Sequence, residues 1–198
     1  LGIIGAVLAL IPLLFYLSNA QAAIRTAYLE VSGVPPAKAL LKVLQLTQQH
    51  RGLSAALLGG NTSVQDTRAQ KQREADQAYD VMSAIAKQTQ DAEPRTTKWQ
   101  QIVTTWAQLK LAVASGSLAA KDSNVRHTEL IAQVLDVLDL TLDYYGLSLD
   151  PEASGYHMIM AILAHMPHLT ESLGQARARG TAYLSAKQLQ HADQAAKI

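Results

Sequence analysis

The chain has 198 residues, of which 48% are hydrophobic and 17% charged, and it contains no cysteine. This length allows one large domain or two small ones, and the composition argues against collagen-like, disulfide-stapled and disordered proteins. The 17 basic and 16 acidic residues lack the positive excess that binding to nucleic acid usually needs, and the missing cysteine excludes thiolate catalysis and cysteine-bound metals.

Residues 1–17 are apolar and uncharged, and the first charged side chain is that of Arg25. A helix of that length extends roughly 25 Å, just short of the hydrocarbon core of a bilayer. Because the sequence starts without Met, we interpret residues 1–18 as a transmembrane helix that lacks its first residues. A cleaved signal peptide is the alternative, although only a partial cleavage motif follows. No basic cluster follows the run, so we expect the rest of the chain on the periplasmic side of the inner membrane.

From about residue 20 the pattern is helical throughout, rich in Ala, Leu, Gln, Lys and Glu and without strand-like alternation. Gly and Pro residues interrupt it at intervals of roughly 20 to 30 residues, which corresponds to helices about 30 to 45 Å long. Such helices are typical of bundles with alternating helix directions. We therefore predict an all-α fold, an elongated up-and-down helical bundle preceded by a transmembrane helix.

The predicted organisation has three parts. The transmembrane helix, residues 1–18, is followed by a membrane-proximal helix, residues 19–36, in which Pro35 and Pro36 kink or break the chain. A helical-bundle domain then covers residues 37–198. Its C-terminal end falls within a predicted helix, so the domain need not be complete there.

Capping residues predict helix starts at Thr62 or Ser63, at Pro94, at Asp122 or Ser123, and at Asp150-Pro151-Glu152.

Polar residues interrupt the apolar face of the first bundle helix over two adjacent turns. They are Thr47, Gln48, His50, Arg51 and Ser54. A buried arginine costs several kcal/mol unless it meets an acidic partner, reaches solvent or binds an anion. Gly52, beside Arg51, suggests that a neighbour or a ligand approaches the helix closely there.

A second Arg-Gly element lies near the end of the chain, where Arg179-Gly180-Thr181-Ala182-Tyr183 weakly repeats Arg51-Gly52-Leu53-Ser54-Ala55. Two facing guanidinium groups repel each other unless a negative group lies between them, and a planar oxyanion matches their geometry. These residues predict a site for a small anionic ligand. Its candidate ligand-binding residues are Gln48, His50, Arg51, Ser54 and Arg179.

The alternative for Arg51 is that its side chain reaches solvent or pairs with an acidic residue on a facing helix. Asp136, Asp139 and Asp143 share one helix face and offer such partners. A carboxylate within hydrogen-bond distance of Arg51 would favour this second interpretation.

Two segments resemble the extracytoplasmic sensor region of bacterial transmembrane receptors. They are QQHRGLSAALLGGN at residues 48–61 and LDLTLDYYGLSLDPEASGYHMIMAILAHMPHLTESLGQARARG at residues 138–180. Together with the preceding apolar run, they resemble the nitrate- and nitrite-sensing (NIT) domains of chemoreceptors, sensor kinases and diguanylate cyclases, over roughly residues 37–198. The Arg-Gly-Leu-Ser element and the Leu-Asp-Pro turn carry most of the resemblance.

The resemblance implies a helical bundle whose buried arginines bind nitrate or nitrite. It places Arg51 at the position of the first-helix arginine and suggests Arg179 as a second ligand-binding arginine. It also implies a ligand-sensing module of a membrane-anchored receptor, which passes a helix displacement of about 1 to 2 Å across the membrane. We expect a homodimer and a cytoplasmic output domain that this sequence does not contain. Because no catalytic motif occurs, we predict neither an enzyme nor a resident cofactor.

Two alternatives remain at this stage. The first is a membrane-anchored interaction or structural bundle without a small-molecule ligand, in which Arg51 forms ion pairs. The second is a haem- or copper-binding bundle that uses His157, His165 and His168, close to three methionines. Against the metal site, Pro167 interrupts the helix that would carry these histidines, and methionine on an apolar face is usually part of a core.

Overall fold

The structure, a computed structural model, describes the backbone of residues 2–88 and 95–186 and the side chains of residues 8, 10–88 and 95–180. Within these ranges the chain is all-helical, without strands, and the helices form a bundle. The α-helices are α1 (Gly2–Leu58), α2 (Gln65–Gln88), α3 (Arg95–Ala114), α4 (Ala120–Tyr144), α5 (Ala153–Ile159) and α6 (Met166–Ala186). Short 3-10 helices lie at Thr62–Val64 and Leu147–Leu149, and a π-helix at Met160–His165 joins α5 to α6. The predicted all-α helical bundle is confirmed.

The hydrophobic core lies between four helices: α1 packs against α2 and α4, and α3 packs against α4 and α2. Its fully buried side chains are mostly aliphatic, and they recur at helical spacing as an apolar face requires. Those of α1 and α4 are Ala37, Leu40, Val43, Leu46, Leu130, Ile131, Val134, Val137 and Leu138. The polar helix α2 adds only a narrow stripe, as its sequence predicts: Ala75, Ala78, Tyr79 and Met82.

Helix α1 differs from the expectation at Pro35 and Pro36, because it runs unbroken from Gly2 to Leu58. A proline in a helix frees the carbonyl four residues earlier, and here those carbonyls belong to Val31 and Ser32, which are exposed to solvent. On the opposite side Gly33 is buried so closely against Tyr145 that an added Cβ would lie 2.5 Å from the Tyr145 Cβ. Packing of this face holds the helix together through the prolines.

Helix starts deviate by a few residues from the predicted caps. Before α2, Asn61 provides the cap, since its Oδ1 accepts a hydrogen bond from the Ser63 N–H at 3.2 Å. Ser123, a predicted start of α4, is instead buried within that helix. Asp150 Oδ1 accepts the Glu152 N–H at 2.8 Å before α5 begins at Ala153. The predicted start at Pro94 and the end of the bundle domain, residues 187–198, lie outside the described residues.

The π-helix at Met160–His165 immediately precedes Pro167. Since Pro167 has no N–H to donate, the carbonyl of Leu163 loses its usual helical partner. The wider π turn absorbs this change, and the Met166 N–H reaches back to the carbonyl of Ala161. Single π turns of this kind often mark functional sites.

Among the helices whose side chains are described, none is long and apolar enough to cross a membrane. The membrane anchor over residues 1–18 therefore stays a prediction.

Candidate functional site

A buried ion pair joins α1 to α6. Arg51 and Glu171 are only 6% and 5% exposed, and they meet through two parallel hydrogen bonds. Arg51 Nη1 donates to Glu171 Oε1 at 2.6 Å, and Nη2 donates to Oε2 at 3.0 Å. This bidentate arrangement is the geometry in which a guanidinium group binds a carboxylate most strongly.

Glutamine side chains complete the surroundings of the Glu171 carboxylate. Gln48 Nε2 donates to its Oε2 at 2.9 Å, and Gln175 Nε2 donates to its Oε1 at 2.8 Å. With the two bonds from Arg51, the carboxylate accepts four hydrogen bonds from α1 and α6. Arg51 Nη1 also donates to Thr128 Oγ1 of α4 at 3.0 Å. The site therefore offers several donors to a planar, doubly accepting group.

A glycine of α6 makes room for the guanidinium group. A Cβ added at Gly174 would lie 3.0 Å from Arg51 Nη2. In contrast, Gly52 faces open space with no neighbour within 4 Å. The close approach expected at Gly52 is therefore found at Gly174 of the facing helix instead.

Two fully buried histidines lie beside the ion pair and form a directed chain of hydrogen bonds. His127 Nδ1 lies 2.7 Å from the Ser123 carbonyl, and its Nε2 lies 2.8 Å from His50 Nδ1. Because a carbonyl only accepts, His127 Nδ1 carries a hydrogen and its Nε2 accepts one from His50. His50 Nε2 is then the acceptor for Arg68 Nη1 at 3.3 Å. Ser54 Oγ lies 3.3 Å from His50 Nδ1.

Both imidazoles are neutral at neutral pH. Burial lowers the pKa of His50 and, together with the nearby His127 and Arg68, brings it to about 3. Burial also lowers the pKa of His127 to about 4, although its bond to the Ser123 carbonyl acts in the opposite direction and Arg51 reinforces the shift. Protonation of either ring would place a charge in a desolvated site, close to a second cation.

Arg68, on α2, is a second buried arginine on the other side of the histidines. It is 7% exposed, and Nη1 donates to Gln72 Oε1 at 2.6 Å. Its Nε is buried without a hydrogen-bond partner, and within the described side chains no carboxylate pairs with it. Burial lowers its pKa. Arg51 and Arg68 thus make the cluster basic, and Glu171 is the carboxylate that hydrogen-bonds within it.

Aromatic side chains form the wall behind the histidines. The Trp106 ring meets the His50 ring edge-on, with 5.0 Å between the ring centroids. It stacks on the Tyr79 ring, with 5.1 Å between the centroids. The Tyr79 hydroxyl lies 3.1 Å from Thr47 Oγ1, and Trp106 Nε1 donates to Asp76 Oδ1 at 2.8 Å. Each polar atom of this wall has a partner, so the wall fixes His50 in one orientation.

The structure brings four of the five candidate residues into one buried region: Gln48, His50, Arg51 and Ser54. Arg179 is exposed on α6 and, in the described part of the chain, makes no hydrogen bond or ion pair with Arg51. It follows Glu171 by eight residues, which places it about 80° around the helix from that side chain. A role for Arg179 stays a prediction.

Three titratable members of the cluster were not predicted from the sequence: Arg68, His127 and Glu171. Arg68 lies seven residues before Ala75 on the buried stripe of α2, and His127 lies four residues before Ile131 on the buried face of α4. Helical spacing could therefore have identified both. Glu171 could not be found in this way, because its buried position depends on the docking of α6 against α1.

Arg51 does pair with an acidic residue, as the alternative interpretation expected, but not with any of the three suggested aspartates. Asp136 pairs with Lys98 and Asp139 lies 3.1 Å from His168 Nε2, both near the surface. Asp143 accepts from the Ser148 hydroxyl. Each of the three lies at least eight residues, about 12 Å, along α4 from Thr128, the residue of that helix that Arg51 contacts.

The three histidines of the metal alternative are exposed, and they do not converge. Within the described residues, no three histidine, cysteine, aspartate or glutamate side chains are placed to hold a metal ion. The structure gives the haem or copper interpretation no support at His157, His165 or His168.

A helical bundle with a buried, donor-rich arginine site between its helices has the character of a binding module for small anions. The family model described as nitrate and nitrite sensing (NIT) matches residues 42–198. The chain belongs to this family, which confirms the predicted resemblance, and the family is one of sensing domains rather than of catalysts. No curated protein and no solved structure is significantly similar to the chain.

Proposed function

We propose that this chain is the extracytoplasmic ligand-sensing module of a transmembrane receptor, and that it binds a small anion such as nitrate or nitrite at Arg51. The observation that carries the proposal is the bidentate grip of Arg51 on the Glu171 carboxylate. Nitrate is also planar, and two of its oxygens can accept the same pair of N–H bonds. Membership of the nitrate- and nitrite-sensing family supports this choice of anion.

The electrostatics of the surroundings support the binding of an anion. Arg51 and Arg68 are cationic, Gln48 and Gln175 direct amide N–H groups into the site, and the low dielectric of the core strengthens each of these interactions. The neutral histidines add no charge of their own to the site. A single negative group at Arg51 therefore meets donors on several sides.

The signalling part of the proposal rests on the family and on α1. Arg51 lies on the same helix as the predicted membrane anchor, residues 1–18, so a shift of α1 would reach the membrane directly. We place the bundle in the periplasm, in a homodimer whose cytoplasmic output domain lies outside this sequence. The proposal includes Arg179 of α6 as a second ligand residue.

Calorimetric titration of the full chain, purified in mild detergent, tests the proposal. We expect nitrate and nitrite to bind and Arg51→Ala to abolish the binding. Arg126→Ala removes an exposed arginine of α4 and serves as the matched control, with unchanged affinity. The proposal is wrong if the wild-type chain does not bind either anion, or if Arg51→Ala binds as well as the control.

A second candidate function follows from the same ion pair. If Arg51 exists only to tie α6 to α1 through Glu171, the chain is a structural or interaction bundle without a small-molecule ligand. The two candidates differ in one measurement, because only the sensing module gains thermal stability when nitrate is added. A melting temperature independent of nitrate up to high concentration would favour the structural bundle.

A further inference from the structure

We propose that the Glu171 carboxylate is a built-in competitor for the anion site, and that an anion binding to Arg51 displaces it and releases α6 from α1. The inference rests on the proposed function of Arg51, because it describes how that site is regulated. In this proposal the ion pair couples anion binding to a movement of α6, rather than only holding the two helices together.

The two anions exclude each other. Glu171 uses both Nη groups of Arg51, and its oxygens also receive the amide hydrogens of Gln48 and Gln175. A nitrate ion bound bidentately would need the same two N–H bonds and the same plane. The guanidinium group cannot present that edge to both at once, so binding of one requires departure of the other.

A displaced Glu171 cannot remain in the core. An ionised carboxylate left without partners in a desolvated site costs several kcal/mol, so the side chain must move toward solvent. Because it sits on the buried face of α6, moving it outward requires that α6 turn or separate from α1. Displacement is thus coupled to a helix movement by the cost of an unpaired charge.

Apart from the contact of His168 with Asp139 of α4 near the surface, few of the described side chains hold this part of α6 in place. Among residues 166–180 only Pro167 and Glu171 are buried, and Leu169 and Leu173 are more than half exposed. A groove of about 230 Å³ separates the two helices next to the ion pair. It is lined by Leu41, Leu44, Gln45, Gln48, Ile162, Met166, Pro167 and Thr170. The Arg51–Glu171 ion pair is therefore the main polar contact between α1 and this segment.

The start of α6 is suited to act as a hinge. The π-helix at Met160–His165 and the missing N–H of Pro167 weaken the regular hydrogen bonding immediately before α6. A helix that begins at such a point can change direction without breaking further bonds. Glu171 lies four residues after the proline, close to this hinge.

The test compares nitrate affinity between variants of the full chain. Glu171→Gln keeps the size of the side chain but removes the charge that competes for Arg51, so we expect it to bind nitrate at least tenfold more tightly than the wild type. Glu129→Gln removes an exposed carboxylate of α4 next to Thr128 and is the matched control, with unchanged affinity. Circular dichroism confirms that each variant is folded.

A second measurement follows the helix itself. Since the chain has no cysteine, a pair introduced at Gln49 and Ser172, both exposed, can carry spin labels on α1 and α6. Nitrate is expected to lengthen the distance between the labels in the wild-type background. In the Glu171→Gln background the distance is expected to be long before nitrate is added.

The outcomes separate the two proposals. If neither the wild type nor Glu171→Gln binds nitrate, the anion site itself is refuted, and the competitor with it. If the wild type binds but Glu171→Gln binds equally or more weakly, the anion site stands and the competitor is refuted. Nitrate binding that leaves the label distance unchanged in both backgrounds refutes the release of α6.

Discussion

His127 Nε2 accepts a hydrogen bond from His50 Nδ1 over 2.8 Å, in the core between α1 and α4. Its direction is set by the carbonyl of Ser123, which holds the hydrogen on the other nitrogen of His127. The pair therefore tolerates only neutral rings, each in one tautomer. An added proton would set two N–H groups against each other.

This pair makes stability dependent on pH. In the unfolded chain both histidines take up protons near pH 6.5, whereas in the fold their pKa values are lowered to about 3 and about 4. Below pH 6.5 the unfolded state thus binds more protons, and the free energy of unfolding falls by up to about 1.4 kcal/mol per pH unit for each histidine. This contribution is complete above pH 7 and is lost as the pH falls toward 3.

Urea denaturation between pH 4 and pH 8 measures this dependence. Replacing both His50 and His127 with Gln is expected to flatten the profile, whereas His157→Gln, at an exposed position of α5, should leave it unchanged. Equal slopes for the wild type and the double variant would contradict the assignment.

The Arg51–Glu171 pair should show strong energetic coupling. Arg51→Met leaves Glu171 buried without a charge partner, and we expect it to lower the free energy of unfolding by about 3 to 5 kcal/mol. Glu171→Leu strands the arginine in the same way. The double variant should recover most of this loss, because an apolar pair of similar volume replaces a buried ion pair at little cost. Additive losses in a double-mutant cycle would show that the two residues act independently.

Two helical glycines offer a matched comparison at the site. Gly52→Ala adds a methyl group in open space, so it should stabilise the chain by about 1 kcal/mol through helix propensity. Gly174→Ala gains the same propensity but places its Cβ 3.0 Å from Arg51 Nη2, so the net gain should be smaller or reversed. In an Arg51→Ala background, Gly174→Ala should stabilise as much as Gly52→Ala. Thermal unfolding of the variants decides, and equal effects in the wild-type background would refute the contact.

A third glycine is packed so closely that adding a side chain should destabilise the fold. At Gly33 an added Cβ would lie 2.5 Å from the Tyr145 Cβ and 2.9 Å from Leu147 Cδ1. Since Tyr145 Cβ is attached to the backbone, relief requires that α1 move away from the end of α4, and Gly33→Ala should cost about 1 to 3 kcal/mol. The Tyr145→Gly variant, which removes that Cβ, should accept the same substitution more readily. A neutral effect of Gly33→Ala on chemical denaturation would contradict the close packing.

The sequence predicts correctly the features that depend on the periodicity within a single helix. The interruption of an apolar face by Gln48, His50 and Arg51 predicts a buried polar cluster, and the structure contains it. It was insufficient where the outcome depends on which helices face each other. Glu171 is 120 residues from Arg51, and nothing in its local pattern distinguishes it from the aspartates of α4.

Local rules also failed where tertiary packing outweighs them. Proline chemistry alone predicts a kink or a break at Pro35 and Pro36, but the freed carbonyls face solvent while Gly33 is held against Tyr145. The weak repeat at Arg179 predicts a second ligand-binding arginine; this residue is exposed on α6, and its role stays a prediction. At the prolines, the packing of the rest of the fold determines the outcome.

Because α1 is continuous, the contact at Gly33 can act as a pivot about which the whole helix tilts. Arg51 lies about 27 Å along the helix on one side of this contact, and the stretch back to Gly2 extends about 45 Å on the other. A stiff rod that tilts about such a fulcrum moves its longer arm further than its shorter one. A sideways step of about 1 Å at Arg51 would thus become nearly twice as large, and opposite in direction, at the far end of the helix.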